Sequence, residues 1–176
     1  MKDLFKSIDK EKMVSLYDDK SDTSGFYCGR IQKTDEDYVL ISHYNQMGFY
    51  SGYVLLRKEN VFRANQNGRY EKKVEYLSEQ NENQIHHQFT EDENLLNVLL
   101  EHAKQEKLIV LIELCESNSD DLQGRVSWCD DFILEIECFD EYGFEDGIST
   151  VYIEDISVVK CDTNPCREIS LMIDSD

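Results

Sequence analysis

GRVSWCDDFILEI (residues 124–136) echoes GRIQKTDEDYVLI (residues 29–41), and this repetition decides the fold. When the sequence is aligned with itself at a shift of 95 residues, 12 of the 51 positions from 11 to 61 are identical. Unrelated segments of ordinary composition would share roughly three. The shift is also longer than the ~20–50 residues of solenoid repeats. The chain therefore contains a duplicated unit, whose two versions we call the first copy and the second copy.

Each copy predicts a short helix followed by five strands. Residues 90–105 have Thr90 and Glu93 at capping-box spacing and a leucine stripe on one helical face, and the matching segment of the first copy is LFKSIDKEK (residues 4–12). Apolar, β-branched segments then predict strands at residues 12–18, 29–31, 38–44, 52–58 and 61–64, and at 107–114, 124–126, 132–139, 147–153 and 156–159.

Paired glycines suggest that the strands bend sharply. Gly29 and Gly124 lie in the second predicted strand of each copy, and Gly52 and Gly147 begin the fourth. Glycine inside a strand marks a bulge, a bend or a close backbone approach. Five bent strands in a short segment favour a small closed barrel. We therefore predict a mainly β protein with short helices, divided into a first barrel at 1–77, a polar linker at 78–92 and a second barrel at 93–176.

Two motifs make each copy resemble the Sm-like fold, a small SH3-like barrel. In that family a Gly-x-apolar segment leads to an aspartate, as residues 29–31 lead to Asp35 and residues 124–126 lead to Asp130. The second motif, apolar-Arg-Gly-Asp/Asn-x-apolar, is similar to LRKENV at 56–61, whereas VYIEDI at 151–156 lacks the arginine. The resemblance covers most of both copies and implies tandem Sm-like barrels. Other SH3-like barrels would need the same glycines.

This resemblance implies single-stranded RNA as one ligand, because Sm-like proteins bind RNA at these motifs. The contacts carried over are Arg57 and Asn60, with Tyr38 as a stacking ring. The loop asparagine of the family has no counterpart, since carboxylates or aromatic residues follow Asp35 and Asp130. Six Lys and Arg residues between 57 and 73 would also suit RNA, although glutamates interrupt them. Such a run is more often a solvated strand edge or helix face. A third interpretation is a surface that complements the acid of the second copy, within one molecule or between molecules.

Charge is distributed unevenly along the chain. The net charge is −19; residues 1–77 carry 13 basic and 12 acidic side chains, and residues 78–176 carry 5 and 25. An acidic surface repels phosphate backbones. It is more often simply a solvated, solubilising surface, and the functional interpretation is a face for a basic protein partner. The acidic partner face of the second copy is predicted at Asp130, Asp131, Glu135, Glu137, Asp140 and Glu141. This acidic face predicts binding of a protein partner, with a basic one favoured, and an immunity- or inhibitor-type role is one version of that function. RNA binding through the first copy is the alternative. A homo-oligomer is compatible with both.

Nothing in the sequence predicts catalysis, a cofactor or a metal. His86 and His87 are adjacent in the polar linker, and His102 has no second ligand at helical spacing. Cysteine spacing matches no zinc motif, so the six cysteines are expected as free thiols, as in the cytoplasm. No apolar run reaches the ~18 residues of a membrane span. We therefore expect a non-enzymatic cytoplasmic interaction protein.

Overall fold

The computed structural model describes residues 4–81, 87–90, 94–117 and 119–175. Within these residues the chain forms ten strands and three α-helices. The first copy comprises β1 (Met13–Tyr17), β2 (Tyr27–Thr34), β3 (Tyr38–Tyr44), β4 (Tyr50–Arg57), β5 (Arg63–Gln66) and α1 (Arg69–Gln80). The second comprises α2 (Leu95–Gln105), β6 (Ile109–Leu114), β7 (Leu122–Cys129), β8 (Ile133–Phe139), β9 (Glu145–Tyr152), β10 (Ile156–Cys161) and α3 (Asn164–Ile173). Short 3₁₀ turns lie at Leu4–Ser7 and Ile153–Asp155.

All ten strands belong to one antiparallel sheet, in the order β5-β1-β2-β3-β4-β10-β6-β7-β8-β9. The prediction of a mainly β protein with short helices is confirmed. The prediction of two closed five-stranded barrels is not confirmed, because the sheet is open. Strand β10 pairs with β4 of the first copy as well as with β6, with Val158 opposite Leu56 and Cys161 opposite Tyr53. The fifth strand of the second copy, β10, thus pairs with the edge strand of the first copy, β4. Among the described residues, β4 and β5 do not pair with each other, nor do β9 and β10.

The glycines of the second strands lie where backbones approach closely. A Cβ atom on Gly29 would collide with the carbonyl oxygen of Ser42, and one on Gly124 with that of Glu137. Both glycines precede a β-bulge against the third strand, between Ile31 and Lys33 in the first copy. Because bulges increase the local bend of a strand, the second strand of each copy bends at this point.

Helix α2 joins the two copies. Asn94 caps the helix, its Oδ1 accepting from the backbone N–H of Asn97 at 3.2 Å. The helix begins at Leu95, so Thr90 is outside it, and Glu93 of the predicted capping box lies outside the described residues. Five of its residues are buried in a core shared by both copies: Leu95, Leu96, Leu99, Leu100 and Ala103. This core includes Leu40 and Leu55 of the first copy and Leu134 and Ile136 of the second, so α2 fills the space between them.

The sequence patterns did not predict α1 and α3. Each follows a fifth strand and buries one aliphatic residue at the same repeat position, Val74 in α1 and Ile169 in α3. Helix α1 continues past the expected boundary at residue 77. Strand β5 starts at Arg63, two residues later than predicted, and the segment expected as the first helix forms the 3₁₀ turn at Leu4–Ser7.

Candidate functional site

We call the pairing of β4 with β10 the junction between the copies. The three RNA candidates lie at this junction. Nε and Nη2 of Arg57 donate to the carbonyl oxygen of Ile156 at 3.1 and 3.0 Å, and Nη2 also donates to the carbonyl of Glu154 at 2.7 Å. Nδ2 of Asn60 donates to Oγ of Ser157 at 2.7 Å. The two polar groups expected to contact RNA are therefore engaged by the second copy of the same chain.

Tyr38 is in the same junction. Its side chain is buried, and its hydroxyl donates to the carbonyl oxygen of Ile156 at 3.0 Å and accepts from Nη2 of Arg57 at 2.9 Å. Burial raises the pKa of the Tyr38 phenol to about 12, despite the neighbouring guanidinium, so the hydroxyl keeps its proton at neutral pH. A buried ring offers no open face on which a base could stack.

A second polar contact crosses the junction near the start of β2. Nζ of Lys160 lies 2.8 Å from a carboxylate oxygen of Glu113 and 2.8 Å from one of Asp120. The hydroxyl of Tyr27, from the first copy, donates to Glu113 at 3.0 Å. Burial opposes the charge on Lys160, but Tyr27 and these two carboxylates raise its pKa above the usual range. Lys160 therefore stays charged and forms ion pairs with two carboxylates of its own copy.

Asp18 lies beside this cluster. Burial, and next the charge of Glu113, raise the pKa of Asp18 from 3.8 to about 6. Together with Asp19 and Glu113 it lines a shallow polar depression of about 370 Å³. A raised pKa of this kind also occurs in structural clusters. The raised pKa of Asp18 makes the stability of the fold depend on pH.

Two histidines make ring contacts next to α2. The rings of His87 and His102 stack with 4.3 Å between their centroids, and Phe89 packs against both. His86 lies outside the described residues. Among the residues that the structure does describe, no three His, Cys, Asp or Glu side chains are grouped so that they could hold a metal ion.

The six predicted acidic residues are spread over three places in the second copy. Glu135 and Glu137 lie on β8, Asp130 and Asp131 in the turn before it, and Asp140 and Glu141 in the turn after it. A strand of seven residues separates the two turns by roughly 20 Å.

Two of these aspartates stabilise turns. Oδ1 of Asp130 accepts from the backbone N–H groups of Phe132 and Ile133 at 2.7 and 2.8 Å, and Oδ1 of Asp140 accepts from those of Tyr142 and Phe144, both at 2.9 Å. Side-chain acceptors of this kind close tight turns. Asp131 is different, since it accepts from Nδ2 of Asn97 on α2 at 3.1 Å.

Large apolar side chains are exposed around the acids of β8. Trp128 is 45 % exposed, Ile148 67 % and Tyr152 62 %, and Phe132 at the adjoining turn is 75 % exposed. Pairing puts Trp128 opposite Glu135, and Ile148 opposite Glu137. Cross-strand partners share one side of a sheet. We call this surface the outer face: Trp128, Phe132, Glu135, Glu137, Ile148, Thr150 and Tyr152.

Four of the seven equivalent positions in the first copy are buried. At the shift of 95 residues, Glu135, Ile148 and Thr150 correspond to Leu40, Tyr53 and Leu55, which pack beneath α2. Accordingly, seven of the eight residues of β4 are buried, whereas six of the eight residues of β9 are exposed. At the outer face the second copy therefore lacks the cover that α2 gives to the first copy. The sequence signal for this difference is the replacement of leucine by glutamate and threonine on otherwise matching strands.

Comparisons with protein families, with curated proteins and with solved structures give no match for this chain. The helices described here include none that combines the length and the apolar character needed to cross a membrane.

Proposed function

We propose that this protein is a non-enzymatic binding protein whose partner is another protein, docked on the outer face. The observation that carries the proposal is the exposure of Trp128, Ile148 and Tyr152 on a sheet surface whose central counterparts in the first copy, Leu40, Tyr53 and Leu55, are buried. Large exposed aromatic residues grouped on one surface are characteristic of interfaces, because Trp and Tyr contribute strongly to binding.

A basic partner suits the charges of this surface. Glu135 and Glu137 lie among the apolar side chains, and Glu145 and Asp146 begin the adjacent strand. The second copy supplies 25 of the 37 acidic residues if it is counted from residue 78. Carboxylates around an aromatic centre would accelerate association with a cationic surface and make it sensitive to salt. An immunity- or inhibitor-type role is one form of this function.

The RNA alternative has weaker support. Arg57 and Asn60 are hydrogen-bonded across the junction and Tyr38 is buried, so an RNA chain would have to displace contacts between the copies. The proposal also assumes a cytoplasmic protein. All six cysteines are free thiols in the structure, which supports a reducing compartment.

A pair of tyrosines allows a matched test. Tyr152 on the outer face and Tyr76 on α1 are both 62 % exposed, so Tyr152→Ala and Tyr76→Ala remove the same side chain from equally exposed positions. The tagged protein and both variants would be recovered from native cells, and co-purifying protein and nucleic acid would be quantified. We expect a protein in equal amount with the wild type and with Tyr76→Ala. With Tyr152→Ala we expect its affinity, measured on the purified pair, to fall at least about tenfold.

Other outcomes separate the two functions. RNA recovered in place of protein would support the alternative. A protein partner retained equally by Tyr152→Ala and Tyr76→Ala would show that the outer face is not the binding surface, and recovery of neither protein nor RNA would contradict both functions.

A further inference from the structure

Within the described residues, the duplicated sheet ends in two unpaired edges that correspond to the two strands paired at its centre. Strands β4 and β10 pair at the junction, and the shift of 95 residues relates β4 to β9 and β10 to β5. In the order of the sheet, β5 and β9 are the two outermost strands. The chain thus carries one complete junction in the middle and one unused half of the same junction at each end.

We propose that β9 of one molecule pairs with β5 of a second copy of the same chain. The register follows from the central junction, where Leu56, Leu55, Val54 and Tyr53 face Val158, Val159, Lys160 and Cys161. Applied to the free edges, the repeat places Val151, Thr150, Ser149 and Ile148 opposite Arg63, Ala64, Asn65 and Gln66. These last four residues are the whole of β5. The free strand is therefore as long as the paired segment of its counterpart.

Backbone geometry at both edges already matches the central junction. Gly52 has φ +75°, and a Cβ atom there would collide with the carbonyl oxygen of Cys161 in the paired strand. Gly147, its counterpart, has φ +80° with no atom within 4 Å of a Cβ position. At the other edge Asn67 has φ 62°, as its counterpart Asp162 has φ 55°. A second copy placed by the repeat would bring the end of β5 against Gly147, where only a glycine would admit it.

Charges also complement each other at this contact. In the central junction the guanidinium of Arg167 on α3 lies 5.7 Å from the ring centre of Tyr50. The counterparts are Lys72 on α1 and Glu145 on β9, both exposed. An Arg and Tyr contact within one chain thus becomes a Lys and Glu pair between two chains. Opposite charges at such positions favour the correct edge over other pairings.

The contact is heterologous, because it joins two different surfaces, so each molecule can bind one neighbour at each edge. It does not depend on the proposed protein partner. The outer face stays available to a protein partner in this contact. In the first copy its counterpart is covered by the 11 residues of α2, but a neighbouring molecule has no such helix to place there within its described residues. Among the described residues, the equivalent segment of a neighbouring molecule forms the four-residue turn Leu4–Ser7, whose Phe5 is already buried in its own core.

A charge exchange tests this contact in the purified protein without any partner. Glu145→Lys and Lys72→Glu each place like charges in the contact, so each variant alone should associate at least about tenfold more weakly than the wild type. In an equal mixture every contact between unlike variants pairs Lys with Glu again, and association should return to the wild-type level. Sedimentation velocity over a concentration series in reducing buffer measures this directly.

Gly147→Asn provides an independent variant. Asparagine tolerates a positive φ, as Asn67 does in this chain, and the Cβ atom meets open space in a single molecule. The positive φ costs a side chain about 1–2 kcal/mol, so at low concentration we expect a melting temperature only a few degrees lower, together with loss of association. A wild-type protein that stays monomeric at all concentrations would overturn the proposal, as would association that survives Gly147→Asn or a mixture of charge variants that fails to recover.

Discussion

Replacing Arg57 by alanine should loosen the junction between the two copies. The guanidinium donates to three acceptors, the carbonyl oxygens of Ile156 and Glu154 and the hydroxyl of Tyr38. Hydrogen bonds from a charged donor contribute about 1.5–3 kcal/mol each, but water can replace the one at exposed Glu154. The carbonyl of Ile156 keeps the hydroxyl of Tyr38 as a donor. We therefore expect a loss of about 2–4 kcal/mol in the free energy of unfolding, less than the sum of the bonds.

Urea unfolding measures this loss. With a slope of about 2 kcal/mol per molar urea, the midpoint of Arg57→Ala should lie about 1–2 M below that of the wild type. Arg69 is an exposed arginine at the start of α1, so Arg69→Ala serves as a control and should leave the midpoint nearly unchanged. An unchanged midpoint for Arg57→Ala, together with loss of RNA binding, would refute the structural role and restore Arg57 as an RNA contact.

Two further changes test Asp18, which lies beside the ion pairs of Lys160, and helix α2. Because the pKa of Asp18 is raised to about 6 from 3.8, its carboxyl favours the folded state below pH 4 and this contribution is lost as the pH rises through 6. Asp18→Asn should therefore be more stable than the wild type at pH 7.5 by about 1–2 kcal/mol, after allowance for partial exposure. The difference should vanish near pH 4. Equal stability of the two proteins at both pH values would contradict the raised pKa. Leu99→Ala should lower the free energy of unfolding by about 2–5 kcal/mol, because Leu99 is fully buried. Fluorescence of Trp128 and far-ultraviolet circular dichroism should still report one unfolding transition. Two separate transitions would show that the copies unfold independently.

Much of the strand content was predictable because the repeat supplied two independent versions of each pattern. Glycine pairs at 29 and 124 and apolar runs such as residues 38–44 predicted β2, β3 and their equivalents close to their observed positions. The central pairing was not predictable in this way. A strand pattern states which residues are extended, but the choice between an edge of the same copy and an edge of the other depends on the packing of α2 and β10 between them.

The missed helices had sequence signals. Pro165 stands near the start of α3, a position that suits proline, and continuing the shift of 95 residues past residue 61 would have related α1 to α3 through Val74 and Ile169. The outer face had a signal as well. Leu40 and Leu55 give β3 and β4 apolar residues on both sides, as in a strand buried on both faces, whereas Glu135 and Thr150 break that pattern. Which exposed side chains gather there depended on the register, which the sequence did not specify.

The central position of β10 has a consequence for synthesis of the chain. Strand β4 emerges from the ribosome about 100 residues before the strand that pairs with its edge, because β10 lies so late in the sequence. During that interval Tyr53 and Leu55 are without the α2 core, and an unpaired β-edge beside them invites pairing with other nascent chains. Sheet formation across such a sequence separation is also slow. Newly made protein should therefore depend on chaperones more than its modest length suggests.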